Sequence, residues 1–358
     1  MTQPKNEVPA LMVALGLTTA VIAGGIWLLK DSAIFTGGEP PTPDPQSTEV
    51  SQPSLSSSPP PGDQAVTSTF AEVANVPSGQ FEYGGSTTWA PIRGAVDPLI
   101  QQALPNFRLV YKDSPAQAPG SSLGIQMLID GTLDFAQSSR PLNADERQKA
   151  QQQGITLQEI PVATEAVAIA THPDLSIPGL TLSQLKDIYT GQITNWNQVG
   201  GPNLPIVPAS RSDVGGTVQF FQETVLNNQP FATNLKRLSN TTEALRFVGD
   251  TPGSIYFASA PEIVGQCTVA PLPVGPSAQQ LVPPYQAPYV APQDCPTRRN
   301  QMNLNAFEDQ TYPLTRPLYV IVAENGQPSQ QAGTAYARLL QTEEAQRLLN
   351  QAGFVLLR

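Results

Sequence analysis

Residues 207–226, VPASRSDVGGTVQFFQETVL, carry the densest set of groups able to handle a small anion. Pro205, Ile206 and Val207 read as the end of a buried strand, and SRSDVGGT (210–217) as a glycine-bearing turn. Val218, Phe221 and Val225, at i, i+3 and i+7, then form the apolar stripe of a helix, with Glu223 in its early turns. A strand, a Gly-Gly turn and a helix start leave unpaired backbone N–H groups at the positive end of a helix dipole, where oxyanions bind. Gly215 and Gly216 keep a Cβ out of the ligand's way. Arg211, five residues before Gly216, can fold back as the one full positive charge, with a planar fork matched to oxyanions. Taken alone, the stretch reads equally well as an ordinary strand-to-helix turn with a solvated arginine.

Three further stretches repeat the arrangement. Phe81, Glu82 and Tyr83 read as a strand, broken by GGSTT (84–88) before a helix that starts at Pro91. Residues 108–111 (RLVY) form the next strand and lead through GSSLG (120–124) into a helical 125–129. Residues 133–136 (LDFA) end in QSSRPL (137–142), with a helix from 143–146 (NADE). All four units present Ser, Thr, Gly or Arg at the carboxyl end of a strand, the edge at which open α/β sheets bind ligands. Their convergence argues for an oxyanion site.

Composition narrows the function classes. The chain has 358 residues, room for two ordinary domains or one with long appendages. A net charge of −10 and a pI of about 4.6 argue against nucleic acid or an anionic membrane surface as partner, though not against a small anion held by local donors. The single histidine, His172, precedes Pro173 and reads as a loop residue, so a histidine metal site or a Ser-His-Asp triad has little to draw on. No metal, no cofactor and no enzymatic activity are expected. A phosphate-ester hydrolase would need a nucleophile beside a base, and Asp213 is the only carboxylate near the four turns.

Residues 1–9 are short and polar and are expected to be cytoplasmic; 10–29 (ALMVALGLTTAVIAGGIWLL) carry no charge and are long enough to cross a bilayer. The length, the poor cleavage site and Trp27 favour an uncleaved membrane anchor over a cleaved signal peptide. Residues 30–79 read as a disordered Pro/Ser-rich linker, to which nine of the chain's 37 prolines belong. Beyond the site, 160–170 are extended, 181–189 and 242–248 helical, 254–257 and 317–322 strands, and 335–351 one amphipathic helix. Residues 266–300 are irregular, proline-dense and bracketed by Cys267 and Cys295, which in an exported protein are most simply one disulfide.

Four segments together, LSQLKDIYTGQITNWNQVGG (182–201), RSDVGGT (211–217), DFAQSSRPL (134–142) and YPLTRPLYVIV (312–322), make the chain resemble the phosphate-binding substrate-binding proteins of ABC importers, over about residues 80–358. The resemblance implies an α/β class, two-lobed type II periplasmic-binding-protein fold after the anchor and linker. It implies lobe I over 80–165 and 313–358, joined by hinge segments to lobe II over 166–312, the latter carrying the 266–300 insertion. It further implies phosphate contacts from Thr87, Thr88, Ser121, Ser139, Arg211, Gly215, Gly216 and Thr217, with Ser138 and Arg140 as additional candidates. Inorganic phosphate and ABC permease subunits are the implied partners, and a monomer on the periplasmic (extracytoplasmic) face of the plasma membrane, held there by the N-terminal helix, is expected.

Two positions depart from the family. Gly215 stands where a serine is usual, which removes one hydroxyl donor but keeps the N–H. Ser139 stands where some members place an aspartate, which removes the fixed acceptor that tells protonated phosphate from sulfate. A sensor, or a binder of sulfate, molybdate or a phosphorylated metabolite, is therefore the alternative, with a non-binding structural relative behind it.

Overall fold

The computed structural model describes residues 68–114, 117, 119–211, 215–295 and 297–356; the expected anchor at 10–29 and residues 30–67 of the expected linker lie outside them. No helix among the described residues is long and apolar enough to cross a membrane. In chain order the elements are β1 (Gly79–Gly85), α1 (Ala90–Ala103), β2 (Phe107–Tyr111), α2 (Ser121–Ile129), β3 (Phe135–Ser138), α3 (Ala144–Gln152), β4 (Thr156–Thr171), β5 (Leu180–Thr181), α4 (Leu182–Tyr189), β6 (Val207–Arg211) and α5 (Gly216–Thr224). They continue with β7 (Lys236–Leu238), α6 (Thr241–Asp250), β8 (Ser254–Ser259), α7 (Ala260–Ile263), β9 (Ala270–Leu272), β10 (Val274–Gly275), α8 (Leu304–Glu308), β11 (Thr315–Glu324), α9 (Pro328–Leu340) and α10 (Glu343–Gln351).

One sheet runs in the order β2-β1-β3-β11-β4-β8-β6-β7, with β9 also on β4. β1 lies parallel to β2 and β3, as strand–helix–strand crossovers require, and β6 lies parallel to β8 and β7 for the same reason. β11 returns antiparallel between β3 and β4. β4 is long enough to serve two lobes: its first part pairs β11 and its last residues pair β8 and β9.

Each lobe has its own core. In the first, successive strand residues face opposite ways: Phe135 and Val320 meet Ile92 and Tyr336 on one side of the sheet, and Ala136 and Ile321 meet Ile125 and Leu128 on the other. The second core gathers Ile169, Tyr189, Trp196, Phe221, Val248 and Phe257, with the Phe221 and Phe257 rings stacked 3.8 Å apart. Burying each of these large side chains contributes roughly 1.5–3 kcal/mol. Cys267 and Cys295 form a disulfide with Cα atoms 5.6 Å apart.

The structure departs from the sequence reading at four places. Residues 68–79 belong to the fold and not to the linker, because Phe70 and Val73 bury against the first core and the Phe70 N–H donates to Glu344 at 3.0 Å. β6 runs on to Arg211, so Ser210 and Arg211 are strand residues. The C-terminal helix is two helices: the Thr342 hydroxyl donates to the Leu339 carbonyl at 2.7 Å and accepts the Ala345 N–H at 3.2 Å, closing α9 and capping α10. The proline-dense insertion contains the short strands β9 and β10.

Candidate oxyanion site between the lobes

Five of the ten α-helices among the described residues cap their own first turn with a side chain. Among these caps, Asn143, Thr181, Asn240 and Thr342 accept N–H groups at the starts of α3, α4, α6 and α10. Three helix starts along the cleft do not. Gly215 precedes α5, Gly120 precedes α2, and Ser86 precedes the 3₁₀ turn Thr87–Trp89 that runs into α1, none with a side-chain cap. Glycine cannot cap, so the orphan N–H groups of α2 and α5 are left for whatever enters the cleft.

The lobes touch at these starts. A Cβ on Gly216 would lie 2.4 Å from Ser139 Oγ and 2.7 Å from Ser121 Oγ, so only glycine lets the α5 backbone meet the two serines of the first lobe. Ser139 Oγ accepts from Ser86 Oγ at 3.0 Å and lies 3.2 Å from Ser121 Oγ, which accepts the Ser139 N–H at 3.1 Å. Ser86, Ser121 and Ser139 are all buried.

The guanidinium of Arg316, on β11, closes the other side. Its Nη1 donates to the Gly216 carbonyl at 2.7 Å, and its Nη2 donates to Thr217 Oγ1 at 2.9 Å and Thr88 Oγ1 at 3.2 Å. Nε donates to Glu165 Oε1 at 2.7 Å, Nη2 donates to the same oxygen, and Ser259 Oγ donates to Glu165 Oε2 at 2.5 Å. Arg316 and Glu165 face each other directly across β11 and β4. Burial pushes the Glu165 carboxyl up, and the Arg316 charge opposes that.

Of the residues expected from sequence, Thr88, Ser121, Ser139, Gly216 and Thr217 thus come together. Arg211 is half-buried, with Nη2 3.6 Å from where a Gly215 Cβ would stand and no carboxylate among the described residues within ion-pairing reach. Asp213 lies outside the described residues. Thr87 is half-buried and hydrogen-bonds to none of the others. The two additional candidates are engaged elsewhere. The Ser138 hydroxyl donates to the Arg140 carbonyl at 2.6 Å within its own turn. The Arg140 guanidinium pairs both Glu146 oxygens, at 2.9 and 2.6 Å, and reaches across the cleft to Gln219 Oε1 at 2.5 Å.

Sequence reasoning did not single out Arg316, Glu165 or Ser86. A signal existed: Arg316 and Glu165 are opposite charges set inside two strand-like apolar runs, and buried charges are found paired. A second buried network backs Ser86. Arg93 Nη1 donates to the Ser86 carbonyl at 3.2 Å and to Gln137 Oε1 at 2.8 Å, and its guanidinium lies 4.0 Å from the Tyr111 ring centre. Gln137 Nε2 donates to Tyr336 Oη at 3.0 Å, and the hydroxyls of Tyr336 and Tyr83 donate to Asp97. Burial pushes the Asp97 carboxyl up to about 6, against the lowering by Tyr83 and Tyr336.

A cleft between two α/β lobes, bridged at a strand hinge and lined by uncapped helix starts and hydroxyls, defines a two-lobed binding protein. The chain belongs to the family described as the PBP superfamily domain, whose model matches residues 71–344. It is 33% identical over 160 residues to the phosphate-binding protein PstS of Staphylococcus epidermidis, a match covering 41% of this chain and about half (49%) of that relative's length. It is 24% identical over 280 residues to the PstS of Staphylococcus aureus, covering 77% of this chain and 78% of the relative. Its fold is similar to that of a putative phosphate ABC transporter substrate-binding protein with bound phosphate from Clostridium perfringens (TM-score 0.62, 23% identity, 78% of this chain and 100% of that one). An ABC-type phosphate transport receptor from Vibrio cholerae is similar too (TM-score 0.59, 22% identity, 77% and 100%).

Proposed function

We propose that this protein captures inorganic phosphate outside the cytoplasm for an ABC importer, by closing its two lobes on the dehydrated anion, with no catalytic step. The observation that carries the reading is the meeting of three uncapped helix starts with the hydroxyls of Thr88, Ser121, Ser139 and Thr217. Such a surface supplies N–H and O–H donors and suits an ion that offers only acceptors. The names of the Staphylococcus relatives support phosphate in particular. We assign direct contacts to Thr88, Ser121, Ser139, Arg211, Gly215, Gly216 and Thr217, with Thr87 at the margin, and leave Ser138 and Arg140 out of them. The lobe boundaries we favour are those of the sequence reading, 80–165 with 313–358 and 166–312, the first lobe extended back to residue 68. Capture is a population shift, since the anion binds the closed form and draws the open–closed equilibrium toward it. The membrane anchor at 10–29, a permease partner and a monomeric state complete this reading.

A second reading, sulfate or another fully ionised oxyanion, is favoured by Ser139. Its hydroxyl already accepts from Ser86, and no carboxylate among the described residues stands beside it to accept a proton from the ligand.

Titration calorimetry with phosphate and then sulfate, on protein freed of bound anion, tests both. Arg211→Ala should weaken phosphate binding about 10- to 100-fold, the worth of a hydrogen bond to a charged group. Sulfate competing within about tenfold of phosphate would select the second reading, and no heat from either anion would refute both.

A further inference from the structure

We infer that Arg316 is a positioning residue for the ligand: it holds the hydroxyls of Thr88 and Thr217 as hydrogen-bond donors toward the cleft. The inference rests on the oxyanion reading above and deepens it.

An arginine side chain only donates. Where Nη2 of Arg316 meets Thr88 Oγ1 at 3.2 Å and Thr217 Oγ1 at 2.9 Å, both threonine oxygens must accept. A hydroxyl has one proton, and with an oxygen lone pair committed to Arg316 that proton turns away from the guanidinium. For an anion this orientation decides the sign of the contact: a rotated hydroxyl would offer a lone pair where a donor is needed. The two threonines come from opposite lobes, Thr88 from the turn before α1 and Thr217 from the first turn of α5. One buried group therefore sets the donors of both lobes at once. The ligand this favours carries at least two unprotonated oxygens, one for each threonine.

The guanidinium is well fixed for that task. Its side chain is 2% exposed, the Glu165 carboxylate holds Nε and Nη2, the Gly216 carbonyl holds Nη1, and the Phe220 ring centre lies 5.2 Å from Cζ. Glu165 cancels most of its field, so Arg316 acts through the direction of two O–H bonds rather than as a bare charge. A lysine would not reproduce this, because a single ammonium cannot span Glu165, Gly216 and both threonines.

The test is a double-mutant cycle read as phosphate affinity by calorimetry. Arg316→Met is combined with Glu165→Gln, so that no buried carboxylate is left unpaired. This pair is introduced into the parent protein and into the Thr88→Val and Thr217→Val backgrounds. In the parent it should weaken phosphate binding about 10-fold or more. In either valine background, where one of the hydroxyls it orients is gone, the same change should weaken binding by a factor about threefold smaller or less still. Equal factors in all backgrounds would overturn the inference, since a merely structural role adds independently of the hydroxyls. Should the paired replacement not fold, Arg316→Lys, which keeps the ion pair, carries the same cycle with the same expectation. A parent protein that binds neither phosphate nor sulfate refutes the oxyanion reading itself and this inference with it; a parent that binds, with equal factors, refutes this inference alone.

Discussion

Replacing Gly216 with alanine probes the point where the lobes meet. The new methyl would sit 2.4 Å from Ser139 Oγ and 2.7 Å from Ser121 Oγ, where ordinary contact begins near 3.4 Å. Neither hydroxyl can retreat freely: Ser139 Oγ is held by Ser86 at 3.0 Å, and Ser121 Oγ by the Ser139 N–H at 3.1 Å. Either these buried hydrogen bonds break or the lobes part by about 1 Å, at a cost of about 1–3 kcal/mol. That cost falls on the closed form alone, because the contact crosses the cleft and is absent once the lobes separate. Within its own lobe, alanine is compatible with the helical backbone at the first residue of α5. Phosphate affinity should therefore drop about 5- to 150-fold, with no loss of thermal stability in the unliganded protein. Calorimetry gives the affinity, and small-angle scattering should show Gly216→Ala remaining expanded at phosphate concentrations that compact the parent. Affinity within about threefold of the parent, with equal compaction, would refute the closed-form contact.

Two further outcomes follow from features outside the cleft. Burial holds the Asp97 carboxyl at about 6, above the 3.8 expected in the unfolded chain. Between those pH values the folded protein keeps a proton that the unfolded chain has released, so stability falls as pH rises and levels off above 6, by about 3 kcal/mol in all at 1.36 kcal/mol per pH unit. Urea unfolding from pH 4 to 7 should show this slope, and Asp97→Asn should flatten it; parallel profiles for the two proteins would contradict the assignment. Replacing Cys267 and Cys295 by serine releases a loop with a sequence separation of 28 and should lower unfolding stability by about 3–4 kcal/mol through chain entropy, read by thermal or urea melts.

The strand–turn–helix units were legible because their signals are local. Apolar strand ends, Gly and Ser turns and an i, i+3, i+7 stripe each lie within about 20 residues, and β1, β2, α2, α3 and α5 follow them. The Arg316–Glu165 pair was not, since the two residues stand 151 positions apart and meet only through the register of β11 on β4. Arg140 was visible as a charge, but whether it faced the cleft or its own helix depended on Glu146, which also completes a capping box with Asn143. Phe70 and Val73 were masked by the Pro/Ser-rich composition upstream, although their i, i+3 spacing marks them as core residues. Thr342 has the residue type of a helix cap, yet it sits in a stripe that reads as unbroken until the side chain is seen on Ala345.

The Arg140–Gln219 contact bears on the closing of the lobes rather than on the ion itself. Gln219 of α5 accepts from Arg140 at 2.5 Å and donates to Ser122 at 3.3 Å, so these hydrogen bonds lash the lobes together and include none of the groups assigned to the ligand. An ion enclosed in the cleft departs only after they part. Each contributes about 0.5–1.5 kcal/mol to the closed form, and each thereby raises the apparent affinity for any ion the cleft encloses by the same factor, without any change in how the ion itself is gripped. On the oxyanion reading, firmness of closure and choice of ion are thereby carried by separate sets of side chains, so that either can drift while the other is kept.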